Sequence, residues 1–334
     1  MTWLRIVAMA TVPLFLAACG AVPSSAVAGG SETVGSAPEP APAVRPADVA
    51  ANELGMIPVL MYHRVVENPR SLYDRSPEEF RAELERLAAE GYVPVTTAEL
   101  ATGTMDVPAG RHPVVLTFDD GDPSVITLGQ DGQPVAGSAV QIILDVAAAH
   151  PGFRPVASVY VNADPFGGGA AGEGALRWLH DHGFEIGNHT YGHTNLRTAG
   201  AERAEQDIIR GDRFIRDAVP GHQPSTLALP FGAQPRPSGV EVRGSGYDYA
   251  GALLVGANPA PSPYSAEFEP QAIPRIRSQG PDGVEADFGS TAWLDELAAR
   301  PETRFTSDGD PSVVSYPGGA GSPAQRFAAV AVAY

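Results

Sequence analysis

Val114-Val115-Leu116-Thr117-Phe118-Asp119-Asp120-Gly121 is an apolar, β-branched and aromatic run that stops on two adjacent carboxylates and a glycine. A run of this length with turn residues behind it predicts a buried strand of the parallel type. The aspartates then stand at its C-terminal mouth. Successive side chains on a strand point to opposite faces, so the pair is not expected to share a proton. Where the strand breaks at Gly121, one carboxylate is free to coordinate an ion while the other handles a proton. A strand followed by an ordinary Asp-Gly turn gives the same pattern. The decision rests on a second stretch about seventy residues on, Gly187-Asn188-His189-Thr190-Tyr191-Gly192-His193.

This second stretch sets two imidazoles four residues apart behind another short apolar segment, Phe184-Glu185-Ile186. Four residues is one helical turn, or a tight loop of similar reach, and lets both rings converge on one ion. One Asp from the first strand end with His189 and His193 from the second makes a three-ligand site with positions left for water. That is the form of a catalytic metal site.

The Thr117-Phe118-Asp119-Asp120-Gly121 and His189-Thr190-Tyr191-Gly192-His193 segments, in this order and spacing, resemble the polysaccharide deacetylases of carbohydrate esterase family four. The resemblance covers roughly residues 56 to 278. It implies a distorted (β/α) barrel of about seven parallel strands with its site at the C-terminal strand ends. It also implies metal-assisted hydrolysis of an acetamide. Asp120, His189 and His193 hold a divalent ion, zinc by ligand type with Co2+, Ni2+ or Mn2+ as alternatives, and the ion activates water and polarises the carbonyl. Asp119 takes the proton. Thr226-Leu227-Ala228-Leu229-Pro230-Phe231-Gly232 looks like the family's third motif, so Pro230, Phe231 and Gly232 are expected at the substrate.

Three departures from that pattern matter. Ala228 stands where the family has an arginine that braces the catalytic aspartate, and Arg275 in Ile273-Pro274-Arg275-Ile276 is placed to take over that role. No histidine follows His222, so the family's late histidine acid is missing. His63, at the end of the predicted first strand Ile57–Tyr62, is the replacement donor or a group that orients a metal ligand. A polar insertion over 122–138 follows the aspartates directly and is expected on the rim of the site.

Outward from these motifs, strand-like and helix-like segments alternate. Ser76-Pro77-Glu78-Glu79 opens a helix with a capping box and proline at its first position, and Gly91 closes it. Strands are predicted at 92–95, 114–118, 156–161, 184–187, 226–229, 249–254 and 272–276, with helices near 139–149, 175–182 and 201–218. This rhythm predicts a parallel α/β sheet, closed or nearly so, in one catalytic domain over 53–300. Residues 301–334 carry Asp-Gly and Asp-Pro turns, one short strand-like run and no functional signal.

The chain begins with one positive charge, Arg5, and a short apolar core, which together predict a signal peptide over 1–18. Leu16-Ala17-Ala18-Cys19-Gly20 matches a bacterial lipobox, and Cys19 is the only cysteine in the chain. It cannot form an intrachain disulfide, which fits acylation better than stapling. Residues 19–52, rich in Ala, Pro, Ser and Gly, are expected to form a flexible stalk. The enzyme is thus expected as a monomer on the outer face of the cytoplasmic membrane, touching the membrane through its lipid anchor only. A formal net charge of -17 with no basic run argues against nucleic acid. The expected substrate is an acetylated polysaccharide built on N-acetylglucosamine; a xylan-like O-acetyl ester, a carbohydrate-binding protein that has lost turnover, and a different Asp-His-His hydrolase stay open.

Overall fold

Apolar runs flanked by turn residues become parallel strands buried on both faces. The computed structural model describes residues 44–334. The expected signal peptide, Cys19 and most of the expected stalk lie outside the described residues. The strands are β1 (Val59–Tyr62), β2 (Tyr92–Val95), β3 (His112–Phe118), β4 (Ser158–Val161), β5 (Glu185–Asn188), β6 (Thr226–Ala228), β7 (Gly251–Leu253) and β8 (Ile276–Arg277). Seven of them lie side by side in the order β7-β6-β5-β4-β3-β1-β8, all parallel, and β2 pairs with the first half of β3. The segment entering β8 also bridges back to β7, with Leu253 paired to Ile273 and the Leu254 N–H donating to the Ile273 carbonyl at 2.8 Å. The sheet therefore curls nearly closed, as the distorted barrel expected from the sequence.

Helices α1 (Pro77–Ala89), α2 (Thr97–Thr102), α3 (Ala139–Ala149), α4 (Gly169–Asp181) and α5 (Ala201–Ala218) lie in the connections between strands, and α6 (Ser290–Ala299) follows β8. Helix α1 starts on the expected capping box: the Ser76 hydroxyl accepts from the Glu79 N–H at 3.1 Å and the Glu79 carboxylate from the Ser76 N–H at 3.0 Å. The period-two alternation of β3 sorts its side chains. Val114, Leu116 and Phe118 pack with Phe80, Leu84, Ile142 and Ile143 beneath the helices, while Val115 joins Val59, Val95 and Leu253 in a second core. Thr117 donates to the Leu60 carbonyl at 2.9 Å.

Sequence periodicity did not predict α2 or α6. Helix α2 is short and is held by its own capping box, Thr96 with Glu99, and by a buried carboxylate: Glu185 accepts the Ala98 N–H at 3.0 Å and the hydroxyls of Ser158 at 2.7 Å and Thr226 at 2.5 Å. A carboxylate at a helix N-terminus satisfies otherwise orphaned donors. Glu83 plays a similar part on α1, accepting from Tyr62 at 2.5 Å, Ser278 at 2.8 Å and the Ser290 hydroxyl at the start of α6.

The boundaries expected at 52 and 300 do not coincide with breaks in the packing. Ala51 and Asn52 are buried, and Asn52 pairs with Thr306 and Met56 with Arg304. The expected tail belongs to the same unit as the barrel: Phe305 is buried, and Val314–Tyr316 pairs with Ala331–Ala333. Glu53 ties the two ends together by accepting the Ser315 N–H at 2.8 Å and the Ser307 hydroxyl at 3.2 Å. Burial, aided by the nearby Asp308 charge, pushes the Glu53 carboxyl up to about 8 despite these hydrogen bonds. The folded state therefore holds a proton that the unfolded chain releases near pH 4.5, so the stability is present below that value and is lost as pH rises towards 8. Melting curves between pH 5 and 9 are expected to show this fall, and Glu53→Gln is expected to flatten it. Parallel curves for the two proteins would sink the assignment. Among the described residues no helix is long and apolar enough to cross a membrane.

Candidate active site

The alternation that sorts the core also builds the site. Val115 and Thr117 put every second residue of β3 inside the barrel, and the next in that row is Asp119, 2 % exposed. Asp120 would be expected on the other face, but the strand ends at Phe118 and Asp120 takes a left-handed conformation with φ 73°. That bend returns its carboxylate to the mouth beside its neighbour's. The break thus falls one residue before the expected Gly121. Gly121, at φ 66°, is needed for a different reason: a Cβ there would lie 2.6 Å from Pro165.

His189 and His193 come from the loop after β5, which has no helical turn. Thr190 at φ 61° and His193 at φ 50° are both left-handed, and the loop is held from several sides. Asn188 accepts the Thr190 N–H at 2.8 Å and donates to the Ile208 carbonyl at 2.9 Å on α5. Asn162 donates to the His189 carbonyl at 2.8 Å, and the Asp207 carboxylate accepts the Gly192 N–H at 3.1 Å. Gly211 lets α5 approach, since a Cβ there would stand 2.3 Å from the Asn188 amide oxygen. These supporting groups were missed in the sequence; a glycine and an aspartate on the buried face of an otherwise regular amphipathic helix were their only signal.

The result is a tight triangle of donors. The Asp120 Oδ1 atom lies 3.4 Å from His189 Nε2 and 3.5 Å from His193 Nε2. All three donor atoms fall within 4.8 Å of one another, the spacing expected when each sits about 2 Å from a common centre. His189 Nδ1 is engaged with the Ala228 carbonyl at 2.8 Å, which sets the tautomer and leaves Nε2 as the ligating atom. The donor set therefore fits a divalent cation. Ala228, which lacks the arginine of the resembling family, still serves the site through its backbone.

Arg275 is the largest fully buried side chain in the described protein. Its guanidinium forks onto Asp119, with both nitrogen–oxygen distances at 2.7 Å, and also donates to Thr117 at 3.2 Å and the Leu254 carbonyl at 2.7 Å. It is no surface ion pair. Burial works against the charged form of Asp119, but Arg275 and His189 outweigh it and hold the carboxyl well below the usual carboxylate range. Asp119 Oδ2 remains 3.9 Å from His189 Nε2, at the edge of the donor triangle.

His63 lines the same cleft, which has a volume of about 390 Å³ and also takes in Tyr73, Asp122, Phe231 and Val255. Burial lowers its pKa from the ordinary 6.5, against the pull of the Asp119 and Asp120 charges. The ring is thus neutral at pH 7, where the sequence suggested a group titrating near the working pH. Of the three residues expected at the substrate, Phe231 lines the cleft, 63 % exposed with its ring 4.6 Å from His193. Pro230 is buried, and Gly232 at φ 61° passes so close to the Val255 backbone that a Cβ would meet its nitrogen at 2.6 Å. They shape the turn and do not line the cleft. In the insertion, Asp122 reaches the cleft, but Val125 and Ile126 are core residues.

Residues 106–250 match the family model of the polysaccharide deacetylases. The matched segment contains Asp119, Asp120, His189, His193 and Phe231 and leaves out His63 and Arg275. Among solved structures the fold is similar to the Streptococcus pyogenes deacetylase PplD in complex with acetate, at TM-score 0.50 and 19% identity over 66% of this chain and 92% of that one. It is similar to a polysaccharide deacetylase from Bacillus cereus at TM-score 0.50 and 21% identity, over 66% of this chain and 64% of that one. IcaB from Ammonifex degensii follows at TM-score 0.49 and 19% identity, over 73% and 96%. The chain thus spans about two thirds of the length of the Bacillus cereus protein. No curated protein sequence matches this chain.

The donor triangle predicts about one divalent ion per chain. His189→Ala or His193→Ala is expected to lower metal content to a small fraction of the wild-type value after dialysis, because a three-ligand site loses most of its chelation with one ligand. Full occupancy in either variant, measured by elemental analysis, would remove that histidine from the site.

Proposed function

We propose that this protein is a metal-dependent hydrolase that removes acetyl groups, above all N-acetyl groups, from an N-acetylglucosamine-containing polysaccharide of the cell envelope or extracellular matrix. The observation that carries this reading is the juxtaposition of two units. One is the Asp120, His189 and His193 triangle; the other is a separate carboxylate, Asp119, kept ionised beside it by Arg275. A purely structural ion site has no use for the second unit.

When bound, a divalent cation supplies Lewis-acid polarisation of the acetyl carbonyl and a lowered pKa for water. The chain's own residues do the rest. Asp119, ionised and fixed by the Arg275 fork, accepts the proton that the attacking water gives up. His63, neutral at rest, is a proton carrier for the leaving nitrogen: it takes a proton from solvent and delivers it to the amine, while the proton held by Asp119 returns to solvent. Phe231 offers an apolar face on which a sugar ring can rest beside His193.

Acetate release from N-acetylglucosamine oligomers by the purified protein, with and without a chelator, tests the proposal. Chelator-sensitive release with recovery on adding zinc is expected, and acetylated xylo-oligosaccharides in parallel separate the amidase from the esterase. No acetate from either class would end the deacetylase reading.

The place of action proposed is the extracytoplasmic face of the membrane, through acylation of Cys19. In a host that processes lipoproteins, labelled palmitate is expected on the wild type and not on Cys19→Ala, which should be released from the membrane. A wild type without label would refute the anchor.

A further inference from the structure

The two histidines of the donor triangle are held differently. His189 is fixed through its own ring, Nδ1 against the Ala228 carbonyl at 2.8 Å. The His193 ring makes no hydrogen bond to backbone among the described residues; it meets the Asp120 oxygen at 3.5 Å and packs against the rings of His189 at 5.0 Å and Phe231 at 4.6 Å. Its place in the triangle therefore depends on the backbone that carries it, which is left-handed at Thr190 and again at His193. Residues other than glycine stay in that region only where their surroundings enforce it.

Asn188, at the end of β5, does the enforcing, and only in one orientation of its amide. Its oxygen accepts the Thr190 N–H at 2.8 Å while its nitrogen donates to the Ile208 carbonyl at 2.9 Å and to the Tyr249 hydroxyl at 2.8 Å. A flipped amide would set donor against donor at Thr190 and acceptor against acceptor at Ile208. A phenol hydroxyl can donate or accept, so Tyr249 discriminates between the two orientations only if its own proton is committed elsewhere. Asp212 commits it: the Tyr249 hydroxyl donates to Asp212 Oδ2 at 3.1 Å, and that carboxylate is ion-paired with Arg216 at 2.7 Å. Asn188, Tyr249 and Asp212 are all buried, so these polarities are set by one another.

We propose that Tyr249 and Asp212 are positioning residues for the metal centre, acting through Asn188 and the Thr190 turn on His193. Asp212 makes the Tyr249 hydroxyl an acceptor, Tyr249 fixes the Asn188 amide, and Asn188 holds the turn that carries His193 to the donor triangle. Neither residue touches a donor atom of the triangle, and Asp212 lies on α5, the far side of the loop. The inference rests on the metal half of the proposed function and is independent of the substrate.

Tyr249→Phe removes one hydroxyl and leaves the ring in place. In a competition titration against a chromophoric chelator its zinc Kd should be about tenfold above the wild type, the low end for partners that orient a ligand. The low end applies because Asp207 and Asn162 still hold the Gly192 N–H and the His189 carbonyl. Asp212→Ala should raise the Kd as well, and the double variant should be no weaker than Tyr249→Phe alone, because the aspartate acts through the hydroxyl. Placed on His193→Ala, Tyr249→Phe should add less than about twofold, since the ligand it serves is already gone. A full additional loss in that background, or a lowered melting temperature with an unchanged zinc Kd, would overturn the proposal. Amide hydrogen exchange on metal-free protein separates it from the metal reading itself. Should the wild type hold no zinc, the peptide covering residues 189–193 must still exchange about tenfold faster in Tyr249→Phe than in the wild type, and equal rates overturn the positioning role.

Discussion

Arg275→Met is expected to destabilise the folded protein by about 3–5 kcal/mol, the usual cost of stranding one partner of a buried ion pair. For a domain of this size that lowers the melting temperature by on the order of 10 °C. The reason lies in Asp119, which is buried, accepts both arms of the guanidinium and has no other cation fully committed to it. In the wild type its folded pKa lies below the unfolded value, so its contribution to stability is present above about pH 4 and is lost as pH falls through the depressed value. Without Arg275, burial dominates and the sign reverses: the carboxyl is raised, and stability falls as pH rises. The melting-temperature gap between variant and wild type should therefore narrow from pH 7 to pH 5. Combining Arg275→Met with Asp119→Asn should recover part of the loss, because no charge is left stranded. A double variant as unstable as the sum of the two singles would show that the arginine acts through packing and not through the aspartate.

That Arg275 meets Asp119 was partly legible in the chain. A proline-preceded arginine on the last strand, in a sequence where Ala228 fills the usual bracing position, pointed to it. What the sequence did not carry is the reason the contact is obligatory. The segment into β8 pairs with β7 on one side and β8 itself with β1 on the other, so the closing strand delivers Arg275 to the barrel interior. Long-range closure of this kind leaves no local periodicity. The strands were legible because both faces are buried and the apolar runs are unbroken, and α1 because its cap is written in four consecutive residues. Helix α2 carries a capping box as well, Thr96 to Glu99, but six residues are too few to show a period behind it, and its second anchor, Glu185, is distant in sequence. The C-terminal segment misled for a related reason. Its turns and its Gly- and Ala-rich remainder show no period, yet hydrogen bonds to Glu53 and the buried Phe305 make it part of the domain.

Asp119→Asn should abolish turnover while leaving metal content at the wild-type level, a loss in kcat of about 10²–10⁴-fold. The substitution keeps the shape of the side chain but removes the carboxylate that Arg275 keeps ionised at the edge of the donor triangle without being one of its three ligands. Because it also leaves Arg275 facing an amide, some stability will be lost, so metal content and melting temperature must be measured on the same sample. His63→Ala gives the contrast that assigns the second proton carrier. It too should keep its metal, since His63 contributes no atom to the triangle, but its defect should depend on the leaving group. An amide nitrogen needs a proton to depart, whereas an activated aryl acetate does not. The His63 variant is therefore expected to lose on the order of a hundredfold on N-acetyl substrates and far less on the aryl ester, while Asp119→Asn loses on both. Equal losses on the two substrates in His63→Ala would remove it as the donor and leave Asp119 to carry the proton in both directions.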